Sequence, residues 1–430
     1  MSDVSSAPSI PINAERLQSL MEAVSTFGGG PDGSMNRLTL SREDGQARDW
    51  LGRWFCENGF EQAIDAIGNQ FGKLSLAGPN APVIMVGSHI DSQPNGGRFD
   101  GAFGVIAACE AVLSVTERLK AEGRLSACNF QVVNWTNEEG ARFQPSLLGS
   151  SVFSGAADLE WALDRTDSNG ISVRQALNEI GYAGKDKVEI PQALIELHIE
   201  GDNTLNTAGE RFGIFTRFWG ATKYRLAFLG RQAHTGPTPM ADRKDAVLAA
   251  AYLITDLKQI STERGLDLHT SVGRLEVYPN SPNVVPAEAV LFIELRSGSA
   301  EILAEAERKM KIKIEEAALK AGVGSEIRSI DRRKAGRFAP GLVAMAEDAA
   351  ARLGETARHL DTIGGHDAVA MSDACASVVL AVRSRDGVIH HPTEYTSPED
   401  QALGTQILAD LLYKIACEGV QAAQLREAAE

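Results

Sequence analysis

The chain has 430 residues, 43% of them hydrophobic and 23% charged, enough apolar material for two domains or for one large domain with an insertion. Its formal net charge of −15 argues against nucleic acid or an anionic membrane as partner, because either requires a basic surface. The five cysteines, Cys56, Cys109, Cys128, Cys375 and Cys417, are odd in number and form no CxxC pair. Thiols in a reducing compartment are therefore expected, not a disulfide framework or a thiolate metal site.

The first dozen residues, MSDVSSAPSIPI, are Ser- and Pro-rich and read as loose. They lack a basic run followed by an apolar one, so no secretory signal is expected. No segment of the chain approaches the roughly 20 apolar residues of a membrane span. A cytoplasmic protein is the expectation. From Asn13, a cap residue, Leu17, Leu20, Met21 and Val24 have helical spacing. The break FGGGPDGS follows, and Ser41 then caps a second helix that ends at Gly59. Short strands are expected near 62–66 and 71–76, and VIMVGS reads as a buried strand. An apolar helix over 102–121 and the buried strand NFQVVNW come next. This alternation predicts an α/β fold with a mixed, mainly parallel sheet and helices on both faces.

Near residue 215 the pattern changes. TKYRLAFLG, HTSVGRLEVYP and AVLFIELRSG alternate like half-exposed strands, while 241–260 and 299–321 have amphipathic helical spacing. The order strand, helix, strand, strand, helix predicts an inserted α+β domain over 215–331. Residues 1–214 and 332–430 would then form the two parts of one discontinuous catalytic domain.

Several polar motifs end these elements. In VIMVGSHID, His89 and Asp91 are two apart and leave a strand end on the same side, so the imidazole can bind metal while the carboxylate orients its other ring nitrogen. The same pair can equally hydrogen-bond a turn. In GGRFDG, Asp100 can bridge two cations, and its plainer role is a helix cap. In VNWTNEEGARF, Glu138 and Glu139 repel each other at the end of an apolar run, a cost that a cation relieves. Glu139 is assigned to metal. Glu138 is assigned as general base, taking a proton from water and passing it to a leaving amine. His198 in LIELHIE is a candidate ligand, although a lone His in such a strand is commonly a core residue. In DGVIHHP either His390 or His391 supplies the last ligand.

Together these motifs resemble the hydantoinase/carbamoylase type of amidohydrolase, relatives of the aminoacylase and carboxypeptidase-G metallopeptidases. The resemblance also runs through GFEQAIDAIGNQFGKL, GRQAHTGPTPMADRKDA, PNSPNVVP, FIELRSG and GGHDAVAM. It implies two divalent metal ions (zinc, manganese, cobalt or nickel) and makes 215–331 a lid that also forms a homodimer. By position, Asp100 would bridge the metals, with His89 and His198 on one and Glu139 and His390 on the other. The resemblance favours His390 over His391, since the family's ligand is followed by one residue and then Pro. His234, Asn283 and Arg296 match positions that recognise the substrate's carboxylate and polarise its scissile carbonyl, with His234 reaching the partner subunit's site. Arg suits a carboxylate, and His or Asn can donate to an oxyanion.

The implied activity is hydrolysis of a linear C–N amide or ureido bond in a small carboxylate-bearing molecule. N-carbamoyl-β-alanine or an N-carbamoyl-L-amino acid is the leading candidate. Allantoate or another N-acyl or amine-bearing acid is the alternative, and a non-catalytic binding relative is the reading from a different class. The chain departs from the family pattern at three places. After LHIE the family continues Gln-Gly-Pro, whereas Gly201, Asp202 and Asn203 stand here, leaving a gap beside the metals and putting the substrate in doubt. Arg383 replaces a common Pro, as an added charge for an anionic substrate or as a surface change. His391 replaces a small Ser.

Overall fold

A computed structural model of the protein describes residues 9–419 and 425. The loose reading of the first dozen residues falls, for residues 1–8, outside the described residues. The described chain divides into two compact units. One is built from the residues up to Thr216, Phe338–Leu360 and the residues from Gly364 on. The other comprises Arg217–Arg337 and Asp361–Ile363.

In the first unit, α1 (Ala14–Ser25) is capped by Asn13 and α2 (Arg42–Glu57) by Ser41, each side chain accepting a first-turn N–H. The sheet strands are β1 (Glu61–Ile64), β2 (Gln70–Leu74), β3 (Val83–His89), β4 (Asn129–Trp135), β5 (Ala193–Ile199) and β6 (Phe212–Phe218), with Ala376–Val382 following later. Their order is β1-β2-β4-β3-β5-(376–382)-β6. β4, β3, β5 and 376–382 run parallel to one another, while β1 and β2 on one side and β6 on the other pair antiparallel. β4, β5 and Ala376–Val382 are buried at every position, as expected of strands covered on both faces. Helix α3 (Ala102–Glu122) packs on β3, β4 and β5, and the helix Pro398–Glu418 packs on α3. The mixed, mainly parallel α/β class expected from the sequence is the class observed.

The second unit is a four-stranded antiparallel sheet, ordered 324–333, 220–229, 288–297, 269–278. Tyr224, Leu226 and Phe228 alternate onto the same core as Ala289, Leu291, Ile293 and Leu295, against helices Ala246–Arg264 and Ala300–Ala321. Alternate residues point the other way, where Phe292 lies between the guanidinium groups of Arg225 and Arg274. The sequence pattern misses the edge strand Gly324–Arg333, whose side chains are almost all exposed. A strand with no buried face carries no apolar alternation. The first helix here begins at Ala246, not 241, because Met240–Asp242 is a separate 3-10 turn and Asp245 is the cap.

Among the described residues no helix is long and apolar enough to cross a membrane, and the five cysteines are free thiols.

Candidate metal centre

Parallel strands end on one edge of their sheet, so residues just past those ends converge. β3 ends on His89, β5 carries His198 one residue before its end, and β4 leads through Thr136 and Asn137 to Glu138 and Glu139. Asp100 stands before α3. Its carboxylate does not cap that helix, because the cap position is Gly101 and no side chain fills the role. A Cβ on Gly101 would lie 2.3 Å from the His89 ring, and its φ of +63° favours glycine. Glycine therefore lets the Asp100 turn close on His89.

The structure brings together two groups that share Asp100. His89, Asp100 and His198 place ligand atoms within 4.8 Å of one another, and so do Asp100, Glu139 and His390. His198 Nε2 is 3.0 Å from Asp100 Oδ1, and His390 Nε2 is 2.9 Å from Oδ2 and 3.2 Å from Glu139 Oε2. His391 is turned away, its Nδ1 accepting the N–H of Thr393 at 3.2 Å.

The hydrogen-bond partners fix what the imidazoles present. His89 Nδ1 lies 2.9 Å from the backbone carbonyl of Asp91, and His198 Nδ1 lies 2.8 Å from that of Ile199. A carbonyl only accepts, so each Nδ1 carries a proton, and in the neutral ring Nε2 turns a lone pair toward Asp100. Carboxylate oxygens face these nitrogens, Asp100 Oδ1 toward His198 and Oδ2 toward His390. Lone pairs converging without protons are the donor set that a divalent cation satisfies. The residues fit the two metal ions implied by the sequence.

Among the protein groups alone, the crowded carboxylates draw protons onto the imidazoles, so a bound cation would take the place of those protons. Burial opposes protonation of His89, yet Glu138, Asp91 and Asp100 hold it well above the ordinary histidine range. His390 is likewise pushed up to about 11 against burial by Asp100 and Glu139. Glu138 is 8% exposed, with Oε2 3.4 Å from His89 Nε2. Burial, helped by the charges of Asp367, Glu139 and Asp100, lifts its carboxyl well above the carboxylate range although His89 pulls the other way. Such a carboxylate is a strong proton acceptor. Asp91 faces the other ring nitrogen of His89, as its spacing in the sequence suggested, and does more besides. Its backbone carbonyl is 2.9 Å from His89 Nδ1 and its carboxylate 3.6 Å from the same nitrogen. The carboxylate also accepts the N–H groups of Glu138 and Glu139, each at 3.4 Å.

His234, Asn283 and Arg296 belong to the second unit. His234 and Asn283 are neighbours there: Val284 pairs with His234, and Thr235 N–H donates to the Asn283 carbonyl. His234 Nδ1 accepts from Gly236 N–H at 2.9 Å. Its neutral ring therefore carries the proton on Nε2, the tautomer opposite to that of His89 and suited to donating. Arg296 stands apart from these two, giving 2.6 Å and 3.0 Å bonds to the Ile363 carbonyl and Glu294.

Sequence reasoning passed over several neighbours of the centre. Glu196, His198 and His366 form a third close group. Glu196 is already engaged, accepting Ser88 Oγ–H at 2.7 Å and Ala368 N–H at 2.9 Å. Its position two before His198 was a readable sign, since alternate strand residues share a face. Gln93 donates its backbone N–H and side-chain amide to Glu139, at 3.0 and 2.8 Å. Of the departures, Arg383 is spent on Asp400 at 2.9 Å. The space beside Gly201 is lined by Ile389, whose Cδ1 would lie 2.9 Å from a Cβ there.

Fold and centre together define a hydrolase of the metallopeptidase-like α/β class. The chain belongs to peptidase family M20/M25/M40, whose model matches residues 85–414. It is 41% identical over 415 residues to a protein of Mycolicibacterium smegmatis described only as a hydrolase, covering 94% of each chain. It is 32% identical over 399 residues to an N-carbamoyl-L-amino-acid amidohydrolase of Rhizobium meliloti, covering 92% of this chain and 95% of that one. A crystal structure of a hydantoinase/carbamoylase-family amidase from Burkholderia vietnamiensis matches with a TM-score of 0.89 at 32% identity. That match covers 96% of this chain and 99% of the other.

Proposed function

We propose that the protein is a di-metal amidohydrolase cleaving a linear C–N amide or ureido bond in a small carboxylate-bearing molecule. An N-carbamoyl amino acid, N-carbamoyl-β-alanine included, is the substrate class. The observation that carries the reading is the pair of ligand groups sharing Asp100, with lone pairs of His89 and His198 converging on it. A relative acting on N-carbamoyl-L-amino acids supports the substrate class.

Cations bound there supply Lewis acidity to the scissile carbonyl and make water acidic near neutral pH. Every other task falls to side chains. Glu138 takes the proton of the attacking water and returns it to the leaving nitrogen. Asp91 holds Glu138 and Glu139 through their N–H groups. His234, as a donor, serves the oxyanion, while Arg296 and Asn283 hold the substrate carboxylate. The second unit acts as a lid in a homodimer, and the reaction takes place in the cytoplasm.

The test is release of ammonia and free amine from a panel of N-carbamoyl, N-acyl and ureido acids, including allantoate. The assay is run before and after chelation. Activity on N-carbamoyl acids that is lost with chelator and restored by Zn²⁺, Mn²⁺, Co²⁺ or Ni²⁺ is expected. Full turnover by protein stripped of metal would exclude the mechanism.

A further inference from the structure

We infer that Glu394 is a positioning residue for the metal centre, a buried clamp that fixes Asp100 by its backbone. The inference rests on the di-metal reading above.

Glu394 is 5% exposed. Its Oε1 accepts the N–H groups of Phe99 at 2.7 Å and Asp100 at 3.0 Å, nearly three hundred residues away. Two amides converging on one carboxylate oxygen fix both the position and the tilt of the Asp100 backbone. Gly97 makes the approach feasible, since a Cβ there would lie 2.2 Å from the Glu394 carboxyl carbon. Beside the clamp, Tyr395 packs edge-on against Phe99 with ring centroids 6.2 Å apart.

The clamp is part of the same turn as a ligand. Glu394 N–H donates to the His391 carbonyl at 2.9 Å, closing a short loop with His390 at one end and Glu394 at the other. One end meets the Asp100 carboxylate through His390 Nε2, and the other grips the Asp100 amide. His390 has φ +57°, a conformation that a non-glycine residue keeps only when its surroundings hold it there. Glu394 therefore fixes the shared ligand relative to His390 without coordinating anything itself. The second oxygen, Oε2, is buried with no hydrogen-bond partner. Such a costly arrangement is not what simple packing would select.

The test compares wild type with Glu394→Ala and Glu394→Gln. Co²⁺ binding to metal-stripped protein is titrated by calorimetry and by visible absorption, alongside the Tm of the stripped proteins. Gln retains an oxygen for both N–H donors, so near wild-type affinity is expected of it. Ala should weaken Co²⁺ binding about 10- to 100-fold, the usual effect of removing a group that orients a ligand, and shift the absorption band. If Ala does not fold, Glu394→Asp, one methylene too short, is read in the same way. Unchanged affinity and spectrum in the variant, even with a lowered metal-free Tm, would make Glu394 a packing residue only. Failure of wild type itself to bind two Co²⁺ ions would instead sink the di-metal reading.

Discussion

Which nitrogen of a histidine carries the proton divides the functional residues into two kinds. His89 and His198 give their Nδ1 protons to backbone carbonyls and offer lone pairs, whereas His234 accepts at Nδ1 and offers a proton. The sequence supports His89, Asp100 and Glu139 as candidates because each follows or flanks an apolar run. It carries no such mark for Glu394, a loop glutamate whose meaning lies in two backbone amides far along the chain. Glu138 is the residue most open to test. Glu138→Gln keeps shape and volume, so metal content by mass spectrometry should stay at the wild-type level while kcat falls about 10²- to 10⁴-fold, the range of general-base catalysis. Glu200 gives a pH signature. Burial, reinforced by a hydrogen bond to Asp202, raises its carboxyl to about 8. The folded protein thus holds a proton that the unfolded chain releases near pH 4.3. That stabilisation is complete below the unfolded value and is lost as pH rises to about 8. Urea unfolding between pH 5 and 9 should show stability falling with pH, and Glu200→Gln should flatten the slope.

At the scale of elements, the centre depends on where strands stop and how tightly the next turn closes. β3 and β5 place histidines at their ends, and the turn before α3 must then come within contact of the His89 ring. Gly101→Ala tests that closeness. The added carbon meets the imidazole at 2.3 Å in a backbone conformation with φ +63°, so the turn must move. The variant is expected to lose at least about 1–2 kcal/mol of stability, the cost of a misplaced Cβ at positive φ, and to bind less metal. Thermal unfolding and metal content measured together check both. Elements with a buried face were legible, as Leu226 and Phe228 or Leu291 and Ile293 show by alternation. Gly324–Arg333 was not, because it buries neither face and its order comes from pairing with 220–229 and from ion pairs such as Arg332 with Glu307.

For the whole molecule, the change from apolar runs to alternating strands near residue 215 revealed an α+β unit within an α/β one. The sheet order could not be read, since parallel neighbours are chosen by packing between segments distant in sequence. Ala376–Val382 illustrates this: its apolar run gives no sign that it lies between β5 and β6, which precede it by over 150 residues. That placement has a consequence for assembly. The strand that joins β5 to β6 is the last of the three in the chain and follows the residues of the second unit. His89, Asp100 and His198 are present early, but the partner group needs His390, eight residues beyond the closing strand. The two groups that share Asp100 therefore draw on very different lengths of chain, one complete at His198 and the other only at His390. The strand that closes the sheet and the ligand that completes the second group come from one late stretch of sequence, so a chain cut short before residue 376 would lack both.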